Sequence, residues 1–122
     1  MRVLVCGGRE YADAARVTEV LDAQSITVII EGCARGADSL AEDYARTHRI
    51  PVRHFPADWE RNGKAAGHIR NREMLVQGRP DLVIAFPGGR GTANMVGQAR
   101  LAGVRVIEVG VALPATRTRG TA

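Results

Sequence analysis

Apolar residues along this chain fall into two kinds of run. Short stretches rich in Val, Ile and Leu at Arg2–Cys6, Ile26–Ile30, Val52–Phe55, Asp81–Phe86 and Val104–Val109 predict five β-strands. Leu82-Val83-Ile84-Ala85-Phe86 and Val3-Leu4-Val5 are apolar at every consecutive position, as central strands covered on both faces must be. Between the strands the apolar residues recur at spacings of three and four: Ala14, Val17 and Leu21; Ala37, Leu40, Ala41, Tyr44, Ala45 and His48; Val96, Ala99 and Ala102. Each set predicts the core-facing stripe of a helix. Strands alternating with helices define a three-layer α/β domain. Right-handed crossovers and double winding give its five-stranded parallel sheet the order 3-2-1-4-5, with the switch point between the first and fourth strands. Ligands of such sheets bind outside the carboxyl ends of the strands at that point.

Composition narrows the class. The 122 residues suit one domain, expected over residues 1–110, with a flexible C-terminal tail at 111–122. A hydrophobic fraction of 45% and a charged fraction of 25% are ordinary, but 14 Gly is high and an aromatic content of 4% is low, so the glycines need a purpose. No apolar run is long enough to cross a bilayer, and the opening MRVLVCGG lacks the apolar core and cleavage site of a secretory signal, so a cytoplasmic protein without membrane contact is expected. Cys6 and Cys33 lack the spacing of a zinc or redox pair and are expected to be small buried hydrophobes; no metal site is predicted. The net charge of +4 suits an anionic partner, although Arg117 and Arg119 of the tail supply part of it. Charge alone does not separate a mononucleotide from a nucleic acid.

The strongest chemical signal is Pro87-Gly88-Gly89-Arg90-Gly91-Thr92, directly after the most apolar strand and at the start of a helix. Glycines there let the main chain approach an anion, the helix start offers unpaired N–H groups and a positive dipole end, and Thr92 adds a hydroxyl. The competing reading is a tight turn with close helix–sheet packing. The stretch has neither the Gly-Lys-Ser/Thr ending of a Walker loop nor the GxGxxG spacing of a dinucleotide fingerprint, which disfavours a kinase or a standard dehydrogenase. Across the same switch point lies Gly7-Gly8-Arg9, where Arg9 could pair with a phosphate or carboxylate. The second strand also ends in a glycine turn, Glu31-Gly32-Cys33-Ala34-Arg35-Gly36-Ala37-Asp38. There Asp38 serves either the helix dipole or the ligand, and Glu31 is a candidate ribose-binding or catalytic carboxylate.

Asp58-Trp59-Glu60-Arg61-Asn62-Gly63-Lys64 is expected to be a polar loop walling the site, followed by a helix from about Ala65. Trp59 could stack on a base or merely cover the core, and Lys64 could reach a phosphate. On the helix, Gly67, Arg70, Asn71, Met74, Leu75 and Gly78 share one face that is polar at its N-terminal end. Arg70 and Asn71 should therefore point inward beside the phosphate turns, with a structural salt bridge as the alternative for Arg70.

Taken in order, the Gly-Gly-Arg turn, Glu31 through Asp38, Ala57-Asp-Trp-Glu60, Arg70-Asn71 with Met74, and Ala85 through Thr92 resemble the SLOG superfamily of Rossmann-like nucleotide-binding domains, particularly its YspA (YpsA-related) branch, from Val3 to about Val109. The resemblance implies a nucleotide-like ligand, and its members' frequent dimerisation makes a homodimer an expectation, though no exposed stripe marks its face. The LOG phosphoribohydrolases, which cleave the N-glycosidic bond of nucleoside monophosphates, are more distantly similar. Arg70 and Met74 match their arginine–methionine pair, but the glutamate of their Pro-Gly-Gly-x-Gly-Thr-x-x-Glu motif is replaced here by Met95, beside Asn94. DprA proteins, which load recombinase on single-stranded DNA, share a stretch like Gly32–Asp38.

Three functional readings follow. The first is binding or sensing of a nucleotide or nucleotide-derived ligand, with Gly88, Gly89, Gly91 and Thr92 on phosphate and Arg9 and Arg70 as charge partners. The second is an N-glycosidase that uses another carboxylate, from Glu31, Asp38, Asp58 or Glu73. The third is a single-stranded nucleic-acid module, weakened by the scarcity of aromatic stacking platforms.

Overall fold

In the computed structural model, which describes residues 1–110, five strands build one sheet: β1 (Arg2–Cys6), β2 (Val28–Glu31), β3 (Val52–His54), β4 (Leu82–Ala85) and β5 (Arg105–Glu108). All pairings are parallel and the order is β3-β2-β1-β4-β5, the doubly wound arrangement that the alternation of runs predicts. The expected tail at 111–122 lies outside the described residues.

The two faces of the sheet are covered by different helices, as the unbroken apolar runs of β1 and β4 require. Val3, Val5, Ile29, Leu82 and Ile84 pack against α1 (Ala14–Asp22) and α2 (Ala37–Thr47) through Val17, Leu21, Ala41, Tyr44 and Ala45. Leu4, Cys6, Ile30, Val83 and Ala85 face the other way, onto Met74 of α4 (Ala66–Val76) and Met95, Val96 and Ala99 of α5 (Arg90–Leu101). Alternate residues of one strand thus feed two cores, each Val, Leu, Ile or Met side chain contributing about 1.5–3 kcal/mol when fully buried.

Several boundaries differ from expectation. The second strand begins at Val28 rather than Ile26 and runs through Glu31, because the Glu31 carbonyl still accepts the Phe55 N–H (3.0 Å) across the pair with β3. The polar stretch after Asp58 is a short helix, α3 (Trp59–Asn62), and a 3-10 turn over Gly63–Ala65 rather than an open loop. Asp58 starts it by accepting the Arg61 N–H at 3.1 Å. Ala14, His48 and Ala102, placed on core-facing stripes, are exposed at the ends of their helices; His48 instead stacks on Tyr44, 3.9 Å between centroids. Cys33 is exposed, not buried: it holds the left-handed conformation (φ 62°) at the crest of the β2–α2 turn, while Cys6 is buried as expected.

Candidate functional site

Helix starts along the carboxyl rim of the sheet differ in how they are capped. Helices α1 and α3 are capped by Asp13 and Asp58, whose carboxylates accept N–H groups of the first turn. Helices α2 and α5, which follow β2 and β4, start at Gly36 and Gly89 with no capping side chain. In α2 the deficit is met only in part: the Ala37 N–H donates to the Gly8 carbonyl at 3.2 Å, while the Asp38 and Ser39 N–H groups have no acceptor among the described residues. In α5 the first bond runs from the Ala93 N–H to the Gly89 carbonyl (3.0 Å), so the N–H groups of Arg90, Gly91 and Thr92 have no acceptor among the described residues.

That open helix start borders a cavity of about 430 Å3 at the switch point between β1 and β4. Gly7, Gly8 and Arg9 form one wall, Gly89, Gly91 and Thr92 the second, and Trp59, Lys64, Arg70 and Asn71 the third, with Asp38 at the base. A second cavity of about 410 Å3 adjoins it and shares Arg9, Ala34, Trp59 and Arg70 with it. The Arg9 guanidinium carbon lies 5.7 Å from the Trp59 ring centroid, a cation–π contact between these two residues common to both cavities. Gly32 and Arg35 line the second cavity only, and Arg35 is an exposed partner of Glu10 at 2.7 Å.

The glycines of the Pro87–Thr92 turn divide into two groups. A Cβ on Gly88 would overlap Thr92 Oγ1 and come within 2.6 Å of the Gly8 nitrogen. Gly88 therefore lets the β4 turn lie on the β1 turn, where the Gly8 N–H also donates to the Pro87 carbonyl at 2.9 Å. Gly89 and Gly91 have nothing within 4 Å of such an atom. Packing thus accounts for Gly88 and leaves the bareness of Gly89 and Gly91 unexplained by the fold. Pro87 is half-buried behind the turn, and Arg90 is exposed and does not line the cavity.

Arg70 and Asp38 hold residue Gly32 from both sides. Arg70 Nη1 donates to the Gly32 carbonyl (2.5 Å) and Nε to Asn71 Oδ1 (3.2 Å), while Asp38 Oδ2 accepts the Gly32 and Ala34 N–H groups at 3.1 and 3.2 Å. Buried Asn71 extends the network, its Nδ2 donating to the Gly91 carbonyl and to Asn94 Oδ1, both at 3.1 Å. The polar end of α4 is thereby tied to the start of α5, and no carboxylate salt bridge to Arg70 is present among the described residues.

Burial pushes the Asp38 carboxyl up to about 6, against the opposing pull of its amide partners and Arg70. Its ionised form is thus disfavoured in the folded chain relative to the unfolded one. The stability Asp38 contributes is complete below its unfolded value near 3.8 and is lost as pH rises through about 6. Asp38→Asn keeps the amide acceptor and removes the titration. Its stability relative to the parent should therefore rise by up to about 3 kcal/mol between pH 4 and 7. Urea melts of both proteins across that range check this, and parallel curves would contradict it.

Not every candidate comes to the cavity. Glu31 is fully buried on the α2 side of the sheet, and Asp58 and Glu73 line a separate groove of about 390 Å3 on the outer side of α3 and α4. Met95, at the position of the LOG glutamate, is fully buried in the apolar core under α5. Sequence reasoning passed over His68, which lines the cavity one turn from Lys64; its spacing from Lys64 along the helical segment was the available signal.

A doubly wound sheet with glycine turns meeting at its switch point defines a Rossmann-like domain, and two comparisons make the class specific. The model of the YspA, cpYpsA-related SLOG family matches residues 1–62. The Gene 61 protein of Mycobacterium phage D29 is 38% identical over 122 aligned residues, covering 89% of this chain and 96% of that protein. The chain belongs to the YspA, cpYpsA-related SLOG family. Among the described residues, no helix is long and apolar enough to cross a membrane.

Proposed function

We propose that the chain binds a nucleotide or nucleotide-derived molecule, with a phosphate on the bare start of α5 and the remainder of the ligand running between Trp59 and Arg70. The observation that carries this reading is the pairing of acceptorless N–H groups at Gly91 and Thr92 with two glycines, Gly89 and Gly91, that line the cavity. Oriented amides and a helix dipole stabilise a dianion without a counter-charge in contact, and Arg9, Lys64 and Arg70 add a positive field at the same cavity. A volume near 430 Å3 suits a mononucleotide-sized molecule.

Isothermal titration with nucleoside phosphates, NAD and ADP-ribose tests the reading; silence across the panel from folded protein would sink it. A sharper test is Gly91→Ala. The added methyl meets nothing within 4 Å and sits in a helix, so stability should hold or rise by up to about 1 kcal/mol, while affinity for the bound phosphate falls at least about tenfold. Equal affinity in the variant would remove the α5 start from the site. Single-stranded nucleic acid as the ligand would instead show affinity falling steeply with salt.

One observation favours a second reading. Asp38 is the carboxylate that lines the cavity among the described residues, and its raised pKa suits proton transfer near neutrality. N-glycosidic cleavage would use it to stabilise the oxocarbenium-like sugar or activate water. Chromatographic detection of free base from nucleoside monophosphates, abolished by Asp38→Asn, is the expected signature.

A further inference from the structure

A second cluster of chemistry-bearing groups lies on the other face of the sheet, sharing only Ala34 with the lining of the main cavity. Glu31 and His54 are the last residues of β2 and β3 and stand opposite each other in the parallel register, so their side chains leave the same face as neighbours. Glu42, on α2, completes the group. His54 Nε2 lies 3.0 Å from Glu42 Oε1 and 3.3 Å from Glu31 Oε2, and one donor atom from each residue falls within 4.8 Å of the other two.

The Glu31 side chain is only 1% exposed, yet its Oε2 makes no hydrogen bond. Its other oxygen is engaged by the Cys33 N–H. A buried carboxylate oxygen aimed at an imidazole and a second carboxylate, without a donor of its own, lacks the partner that burial demands. A cavity of about 180 Å3, bordered by Glu31, Glu42, Cys33 and Asp43, opens beside the cluster.

We propose that Glu31, Glu42 and His54 form a binding site for a divalent transition-metal ion of the zinc type, with its remaining coordination position open to the adjoining cavity. The spacings fit. Zinc bonds of about 2.0–2.2 Å at tetrahedral angles separate neighbouring ligand atoms by about 3.3–3.6 Å, close to the 3.0 and 3.3 Å measured from His54 Nε2. An imidazole with two carboxylates favours borderline ions over Mg2+ or Ca2+, which prefer all-oxygen shells. A dication would also supply a partner for the buried Glu31 oxygen, whereas Glu42 already pairs with Arg46 through its other oxygen at 3.3 Å.

The test uses the full chain, stripped with chelator, folded by circular dichroism and titrated with Co2+ as a spectroscopic probe and Zn2+ as competitor. One Co2+ per chain is expected, with the intensified visible absorption of a four- or five-coordinate ion, displaced by Zn2+ and not by Mg2+. His54→Ala and Glu42→Gln change half-exposed side chains and should fold. Each should weaken Co2+ binding by at least about a hundredfold, more than loss of an outer-shell partner does. The control His48→Ala should bind as the parent does. Folded parent protein that binds no Co2+, or a His54→Ala variant that binds it as tightly, would overturn the proposal and leave the three side chains as a structural contact. Neither result bears on nucleotide binding across the sheet.

Discussion

Gly36→Ala should lower folding stability by about 3–5 kcal/mol, in the range reserved for backbone strain combined with steric overlap. Gly36 has φ 78° and ψ −126°, a positive-φ combination that side chains essentially avoid and that costs about 1–3 kcal/mol. Space makes matters worse: a Cβ there would overlap the Gly8 carbonyl oxygen and lie 2.6 Å from the carbonyl carbon and oxygen of Arg9. Those atoms belong to the backbone of the β1 turn and cannot swing aside as a flexible side chain could. The β1 and β2 turns would have to separate, breaking the Ala37 N–H to Gly8 carbonyl bond as well. Chemical denaturation reads the effect directly, with Gly97→Ala as control because that exposed helical glycine has nothing within 4 Å of an added Cβ. A Gly36→Ala midpoint within experimental error of the parent would show that the turns are not packed as described.

Arg70→Ala should reduce affinity for a nucleoside phosphate by about a hundredfold, the size of a charge-assisted interaction lost in a partly enclosed site. Two contributions combine. The guanidinium faces both cavities, and its bond to the Gly32 carbonyl fixes the β2 turn beside them. Arg70→Lys separates these contributions, since it keeps the charge and loses the planar fork, and should fall between parent and alanine variant. Stability should drop by about 1–2 kcal/mol in the alanine variant as the Gly32 carbonyl loses its donor, so titrations belong well below its melting temperature. Unchanged affinity would remove Arg70 from the ligand's contacts.

How far the sequence anticipates the molecule depends on whether a feature is local. The sheet order followed from uninterrupted apolar runs and the chirality of crossovers, and the structure has that order. The start of β2 was misjudged because Ile26 continues an apolar run beyond the pairing, while Glu31 is polar yet belongs to the ladder. Helix α3 was missed although Asp58 carries a recognisable cap, because Trp59-Glu60-Arg61-Asn62 is too short to show a period. His48 and Ala102 fit a stripe by spacing but sit where helices end and the core stops.

The site shows the same division. That the turns after β1, β2 and β4 meet was legible from topology. That Gly88 serves packing while Gly89 and Gly91 stay bare was not, since it depends on how the β1 turn lies across the β4 turn. Glu31, Glu42 and His54 come from three elements with no motif spacing, and only the register of β2 on β3 and the placement of α2 unite them.

The hold on Gly32, gripped at its N–H by Asp38 and at its carbonyl by Arg70, has a kinetic consequence. With this wall already immobilised, little entropy remains to be lost when a guest docks, so association should proceed as a single rigid-body step. Stopped-flow traces should show one phase whose rate climbs linearly with concentration, with no plateau from a slow opening event.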